Sequence, residues 1–133
     1  MESNEYEVKW HIENKVAIFN QYQEATIQNT QNMINAANQL INSSPQDKVP
    51  IIINVSGMTG SRANIKDISR EFRERRSEKW GFTIVIGANR AVKFLARIFF
   101  ELAKIEIRFA SDLDEAMQIL YRIYPNLLDS SGQ

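Results

Sequence analysis

Val49-Pro50-Ile51-Ile52-Ile53-Asn54-Val55 is a β-branched run in which apolar and polar positions do not alternate. A strand with one wet face alternates, whereas a strand covered on both faces reads as a continuous apolar run. The run therefore predicts a central strand with helical cover on both sides. Ser56-Gly57-Met58-Thr59-Gly60 after it reads as a loop. Ser43-Ser44-Pro45 before it reads as a helix stop, because proline disfavours helical geometry in the residue ahead of it.

Upstream, Ile27, Ile34, Ala37 and Ile41 recur at helical spacing, supported by Met33 and Leu40, so an amphipathic helix is expected from about Ala25 to Ser43. Its remaining positions are crowded with Asn and Gln. Earlier still, Tyr6, Val8, Trp10 and Ile12 alternate with Glu7, Lys9, His11 and Glu13, and Val16 and Ile18 alternate with Ala17 and Phe19. Glu13-Asn14-Lys15 between them predicts a hairpin turn, since Asn tolerates the left-handed conformation such turns require.

Downstream, a helix is expected from about Asn64 to Lys79 with Ile65, Ile68 and Phe72 inward, then a buried strand from Phe82 to Ile86. Gly87-Ala88-Asn89 leads into a third helix, Arg90 to Lys104, followed by a short strand from Glu106 to Phe109. Ser111 and Asp112 mark a helix start with Glu115 placed for a capping box, and this last helix ends before Pro125. The order β-β-α-β-α-β-α-β-α predicts an α/β domain: an N-terminal hairpin, then a mixed, mostly parallel five-stranded sheet with four helices. One domain spans residues 1–133, with its core at about 5–124 and a polar tail over 125–133.

Length and composition agree. A chain of 133 residues buries about two thirds of its unfolded surface, enough for a core without disulfides or metal. Cysteine is absent and His11 is the single histidine, so neither a thiolate cage nor a His–Cys metal site is expected, and no cofactor is called for. The N-terminus is polar and acidic, and no apolar stretch is long enough to span a bilayer, which together point to a cytoplasmic protein without membrane contact. Sixteen basic residues balance sixteen acidic ones, so the net basic excess typical of nucleic-acid binding is missing.

Three segments resemble the STAS superfamily of sulphate transporter and anti-sigma-factor antagonist domains, and within it the small stand-alone bacterial relatives of the antagonists. They are Pro50 to Thr59, Thr83 to Gly87 with the helix after it, and Ile107 to Ser111 leading into Asp114-Glu115-Ala116. The resemblance implies a STAS-like fold and a non-enzymatic regulatory role exercised through protein contact. It also implies a phosphorylatable serine after the central strand, and Ser61 falls at that position. Here Arg62 follows the serine where the family pattern is acidic before it, and Asn54 replaces the strand's usual acidic residue. A loop serine capping the next helix is the alternative reading of Ser61.

Two further candidate surfaces come from the residues themselves. Gly57, Gly60 and Arg62 in one loop and Gly87, Asn89 and Arg90 in the other should lie at the carboxyl ends of parallel strands, where α/β sheets bind ligands. They make a candidate site for an anionic or lipid-like small molecule, or else two ordinary strand-to-helix turns. On helix three, Ala91, Phe94, Leu95, Ile98, Phe99 and Leu102 form a stripe suited to the sheet, which leaves Val92, Ala96, Phe100 and Ala103 as surplus. Val92, Ala96, Phe99, Phe100 and Ala103 are thus the candidate interface, for a homodimer or another protein partner, unless a neighbouring helix covers them. Helix two carries Lys66, Arg70 and Arg73 on one face, but the interleaved Asp67, Glu71, Glu74 and Glu78 make it a salt-bridged surface and no nucleic-acid site. The Gly-x-Ser-x-Gly elbow and a second histidine that would serve a serine nucleophile are both missing.

Overall fold

The β-branched run does become the middle of a sheet. A computed structural model of the chain describes residues 6–61 and 65–127. Its elements are β1 Tyr6–Ile12, β2 Val16–Ala25, α1 Ile27–Asn42, β3 Val49–Ser61, α2 Ile65–Arg75, β4 Trp80–Ile86, α3 Arg90–Ala103, β5 Ile107–Ala110 and α4 Leu113–Ile123. The five strands lie in sequence order, with β1 antiparallel to β2 and the other pairs parallel.

That order decides the layers. Each crossover from β2 to β5 steps to the next strand in the same direction, and right-handed connections then place α1, α2 and α3 on one face. α4 follows the last strand and is free to cover the other. The two buried clusters match. Ala17, Phe19, Ile51, Ile53 and Val85 pack with Met33, Ile34 and Ile41 of α1, Phe72 of α2 and Phe100 of α3. Val16, Ile18, Ile52, Ile84 and Ile86 pack with Ala116, Met117 and Leu120 of α4. Ile51 and Ile52 are both fully buried although they point to opposite faces.

The hairpin is as expected, with Asn14 at φ 63° in its turn. β1 alternates half-buried and exposed residues, with His11 exposed. β2 does not alternate: Val16 to Phe19 are all buried, because the second strand already lies under helices on both sides.

Three features differ from the sequence reading. β3 runs through Ser56–Gly60 to Ser61 where a loop was expected, because β2 continues to Ala25 and offers a partner: Tyr22 pairs with Gly57 and Ala25 with Ser61. α2 stops at Arg75 and β4 starts at Trp80. The cause lies on the Asn-rich face of α1: the Asn38 side chain donates to the Arg75 carbonyl (2.7 Å) and accepts from the Ser77 N–H (2.8 Å), ending the helix there. Trp80, 4% exposed, then sits edge-on to Phe19 and Phe72 at 5.2 and 4.7 Å.

The third difference is the rotation of α3. Phe100 and Ala103, placed in the candidate interface, are buried in the core at 6% and 0% exposure. Val92, Ala96 and Phe99 pack partly buried against the same cluster. Phe94 and Leu95, expected to face the sheet, are 65% and 40% exposed. Positions 92, 96, 99, 100 and 103 form a complete helical stripe, and the aromatic partners select it: Phe100 meets Phe99 at 4.7 Å and Phe72 at 6.0 Å. The five residues are corrected from a surface to the inward face of the helix.

Two measurements check this packing. Phe100→Ala is expected to lose about 3–5 kcal/mol in urea unfolding, the usual cost of emptying a buried aromatic site. Phe94→Ala is expected to stay within about 0.5 kcal/mol of the wild type, as an exposed substitution does. The Glu71 carboxyl, which accepts from Gln31 of α1 and pairs with Arg75, is held below its ordinary value of 4.5 by these two partners. A depressed folded-state pKa gives stability that is present above the unfolded value and lost as pH falls through the folded one. Acid titration of the unfolding midpoint is expected to be shallower in Glu71→Gln than in the wild type.

Candidate functional site

Parallel pairing brings the carboxyl ends of β2, β3 and β4 together at one end of the sheet. Asn20 of β2 pairs with Asn54 of β3, and Asn54 with Ile86 of β4. The Asn54 amide donates to Asn20 Oδ1 at 3.0 Å, and the Asn20 amide donates to Glu7 Oε1 at 2.9 Å. Asn54 Oδ1 accepts from the Ser56 N–H at 3.0 Å and from the Ser56 hydroxyl at 2.8 Å. Gly87, just past the end of β4, closes against the group with φ +77°, and a Cβ there would stand 2.7 Å from Ser56 Cβ. Three strands thus contribute to one polar chain whose members bond to one another. The sequence signal for it was a lone Asn inside a β-branched run; its strand partner Asn20 is 34 residues away in the chain.

The candidate anion residues are placed differently from the two-loop expectation. Gly57 and Gly60 lie within β3, paired to Tyr22 and Glu24, so their backbone belongs to a ladder and not to a cradle. A Cβ on Gly57 would meet the Tyr22 ring at 3.0 Å, which is the local reason for glycine. Asn89 is the N-cap of α3, its side chain accepting from the Val92 N–H at 2.8 Å. The cap takes up one of the free N–H groups that would attract an anion. Arg90 is exposed as the first residue of α3. Ser61 ends a strand and does not open a helix, and Arg62 lies outside the described residues. Among the described residues no group of three or more His, Cys, Asp and Glu could hold a metal ion, and no helix is long and apolar enough to cross a membrane.

The most conspicuous surface is the outer face of α3. Phe94 and Leu95 stand at its centre, with Arg90, Lys93 and Arg97 exposed beside them. Lys93 and Arg97 lean over the Phe109 ring of β5, 5.7 and 5.4 Å from its centroid. Cation–π contacts of this kind hold long side chains against the sheet edge and fix the positions of their charges. The result is an apolar centre flanked by three cations, with the exposed Glu101 a turn beyond Arg97.

No family model and no curated protein matches the sequence. Solved structures do match its shape. An uncharacterised protein of the DUF3478 family from Shewanella loihica, described as having a SpoIIAA-like fold, superposes with TM-score 0.67 at 13% identity, over 90% of this chain and 98% of that one. The chain has a SpoIIAA-like fold. The anti-sigma factor antagonist SpoIIAA in its unphosphorylated form superposes with TM-score 0.61 at 12% identity, over 90% of this chain and 96% of its own. The SpoIIAA-like, or STAS-like, architecture expected from the three sequence segments is therefore present in five strands and four helices.

The capped start of α3 makes a measurable claim. Asn89→Ala is expected to cost about 1 kcal/mol of stability, the usual value of an N-cap side chain. Thermal melts with and without inorganic phosphate are expected to coincide for the wild type; a phosphate-dependent rise would restore an anion site at the strand ends.

Proposed function

We propose that this protein is a cytoplasmic, non-enzymatic regulatory module that works by protein–protein contact through the outer face of α3. The observation that carries the reading is Phe94, a large apolar side chain left 65% exposed on a helix whose inward stripe is already complete. Covering a phenylalanine is worth roughly 1.5–3 kcal/mol, which gives a partner an anchor of the kind that dominates interface energetics. The likeness of the fold to an anti-sigma factor antagonist supports a role exercised on another protein.

Charge selects the kind of partner. Arg90, Lys93 and Arg97 flank the anchor on one side and outnumber Glu101, the exposed carboxylate of the same face, so the complementary surface is apolar with acidic groups. Two copies of this face meeting about a two-fold axis would oppose their own flanking cations, which disfavours a homodimer built on α3.

Site-specific photo-crosslinking tests the proposal. A benzoylphenylalanine at position 94 is expected to label one protein, at an acidic peptide, in intact cells. The same probe at the exposed Glu74 of α2 is expected not to label it. The adduct should disappear with Arg97→Glu and weaken with added salt. Labelling of a second copy of this chain would establish self-association and overturn the acidic partner. Equal labelling from both positions, or none, would overturn the surface altogether.

A further inference from the structure

The amino ends of the parallel strands carry a cleft of about 300 Å³, at the opposite end of the sheet from the Asn20–Asn54 chain. Its walls come from residues that start strands or end helices. Lys48 precedes β3, Arg76 follows α2, and Lys104 follows α3. Trp80 and Phe82 open β4, Ile105 leads into β5, and Tyr124 ends α4. The Trp80 indole N–H already donates to the Thr83 hydroxyl at 2.9 Å, so that residue offers carbon alone. One wall is thus largely aromatic, and the rest of the charged lining is three cations with a single carboxylate, Glu106.

Cations at helix ends ordinarily serve the free carbonyls there, which carry partial negative charge. Some do so here. Lys48 Nζ donates to the Glu78 carbonyl, and Arg73 to the Leu102 carbonyl at 3.1 Å. Arg76 has no such task. Its Nε is shut off from water and has no hydrogen-bond partner among the described residues, and the Arg75 carbonyl beside it is served by Asn38. No carboxylate among the described residues forms an ion pair with Arg76 or Lys104. A charged donor kept from water without an acceptor costs free energy. No hydrogen bond at Nε opposes turning this guanidinium toward an oxyanion, and the turn gains one.

Glu106 limits the charge such a ligand can carry. Burial pushes the Tyr124 hydroxyl above its ordinary value of 10, against the pull of the Phe82 N–H, and the Glu106 charge adds to the rise. The carboxylate is therefore felt at the aromatic wall. One negative charge is balanced by Arg76 and Lys104, whereas a second would meet Glu106 and the helix carbonyls.

We propose that this cleft binds a small flat monocarboxylate, an apolar body of about ten non-hydrogen atoms ending in one carboxyl group; a cavity of about half the volume takes benzene. The carboxylate takes the planar fork of Arg76 and the ammonium of Lys104. Its body lies against Phe82, Ile105 and Tyr124. A bare phosphate leaves that wall uncovered, and its second charge faces Glu106. The cleft does not include the Phe94 face of α3, so it stands whether or not α3 docks a partner.

Titration with benzoate, benzyl alcohol and inorganic phosphate at neutral pH, followed by amide and arginine Nε–H NMR, is the test. Benzoate is expected to give saturable shifts at Phe82, Ile105 and the Arg76 Nε–H, and benzyl alcohol to bind at least about tenfold more weakly. Inorganic phosphate is expected to leave these signals unmoved. Arg76→Gln is expected to weaken benzoate at least about tenfold. Lys104→Asn, which tolerates the left-handed turn at φ 62°, is expected to weaken it about fivefold. Glu106→Gln is expected to tighten it about threefold, a gain that damage to the fold would not produce. Shifts that never saturate, benzyl alcohol binding as tightly as benzoate, or unchanged affinity in Arg76→Gln would each overturn the proposal. So would displacement of benzoate by phosphate, which would make the cleft a site for any anion.

Discussion

The handedness of the crossovers governs most of what this molecule is. Because β2, β3, β4 and β5 are neighbours in chain order, three successive right-handed connections carry three helices to the same face. α4 alone covers the other. The double burial of Ile51, Ile52 and Ile53 follows from this, as does the loss of alternation in Val16 to Phe19. So does crowding: three helices of different length and composition must tile one sheet face.

α3 shows how far periodicity reaches. The helix is apolar around most of its circumference, so two stripes compete, one centred on Phe94 and the other on Phe100. Periodicity identifies that a helix exists but cannot choose between two faces of similar hydrophobicity. The choice is made by Phe72, which packs against both Phe99 and Phe100, and by Ala103, whose small side chain suits close approach to the sheet. Once that stripe is buried, Phe94 is exposed of necessity. The surplus apolar surface on this helix is therefore real, but it lies on the side opposite to the one its sequence suggested.

Asparagine is the other residue whose role depends on distant neighbours. On α1 the polar face looks like solvated surface, yet Asn38 ends α2 and Asn42 accepts from the Ser77 hydroxyl. In the sheet, Asn20 and Asn54 replace apolar residues in buried or half-buried strands and satisfy one another across the ladder. An amide can do this because it both donates and accepts, so the chain passes from Ser56 through Asn54 and Asn20 to the Glu7 carboxylate. The bonds span separations of 34 to 39 residues, which no local pattern encodes.

What the sequence determined alone is local: a β-branched run that must be covered on both sides, a turn at Asn14, a helix start at Asp112, and the alternation of strands and helices that limits the fold to a few topologies. These are consequences of backbone geometry and of periodicities of two or about 3.6 residues, and each is read within a short window. The tertiary structure alone decided how long β3 continues beside β2, which face of α3 turns inward, and which basic side chains meet at the amino ends of the strands. Burial and hydrogen-bond satisfaction belong to pairs of residues, and here the partners are brought together only when the crossovers close.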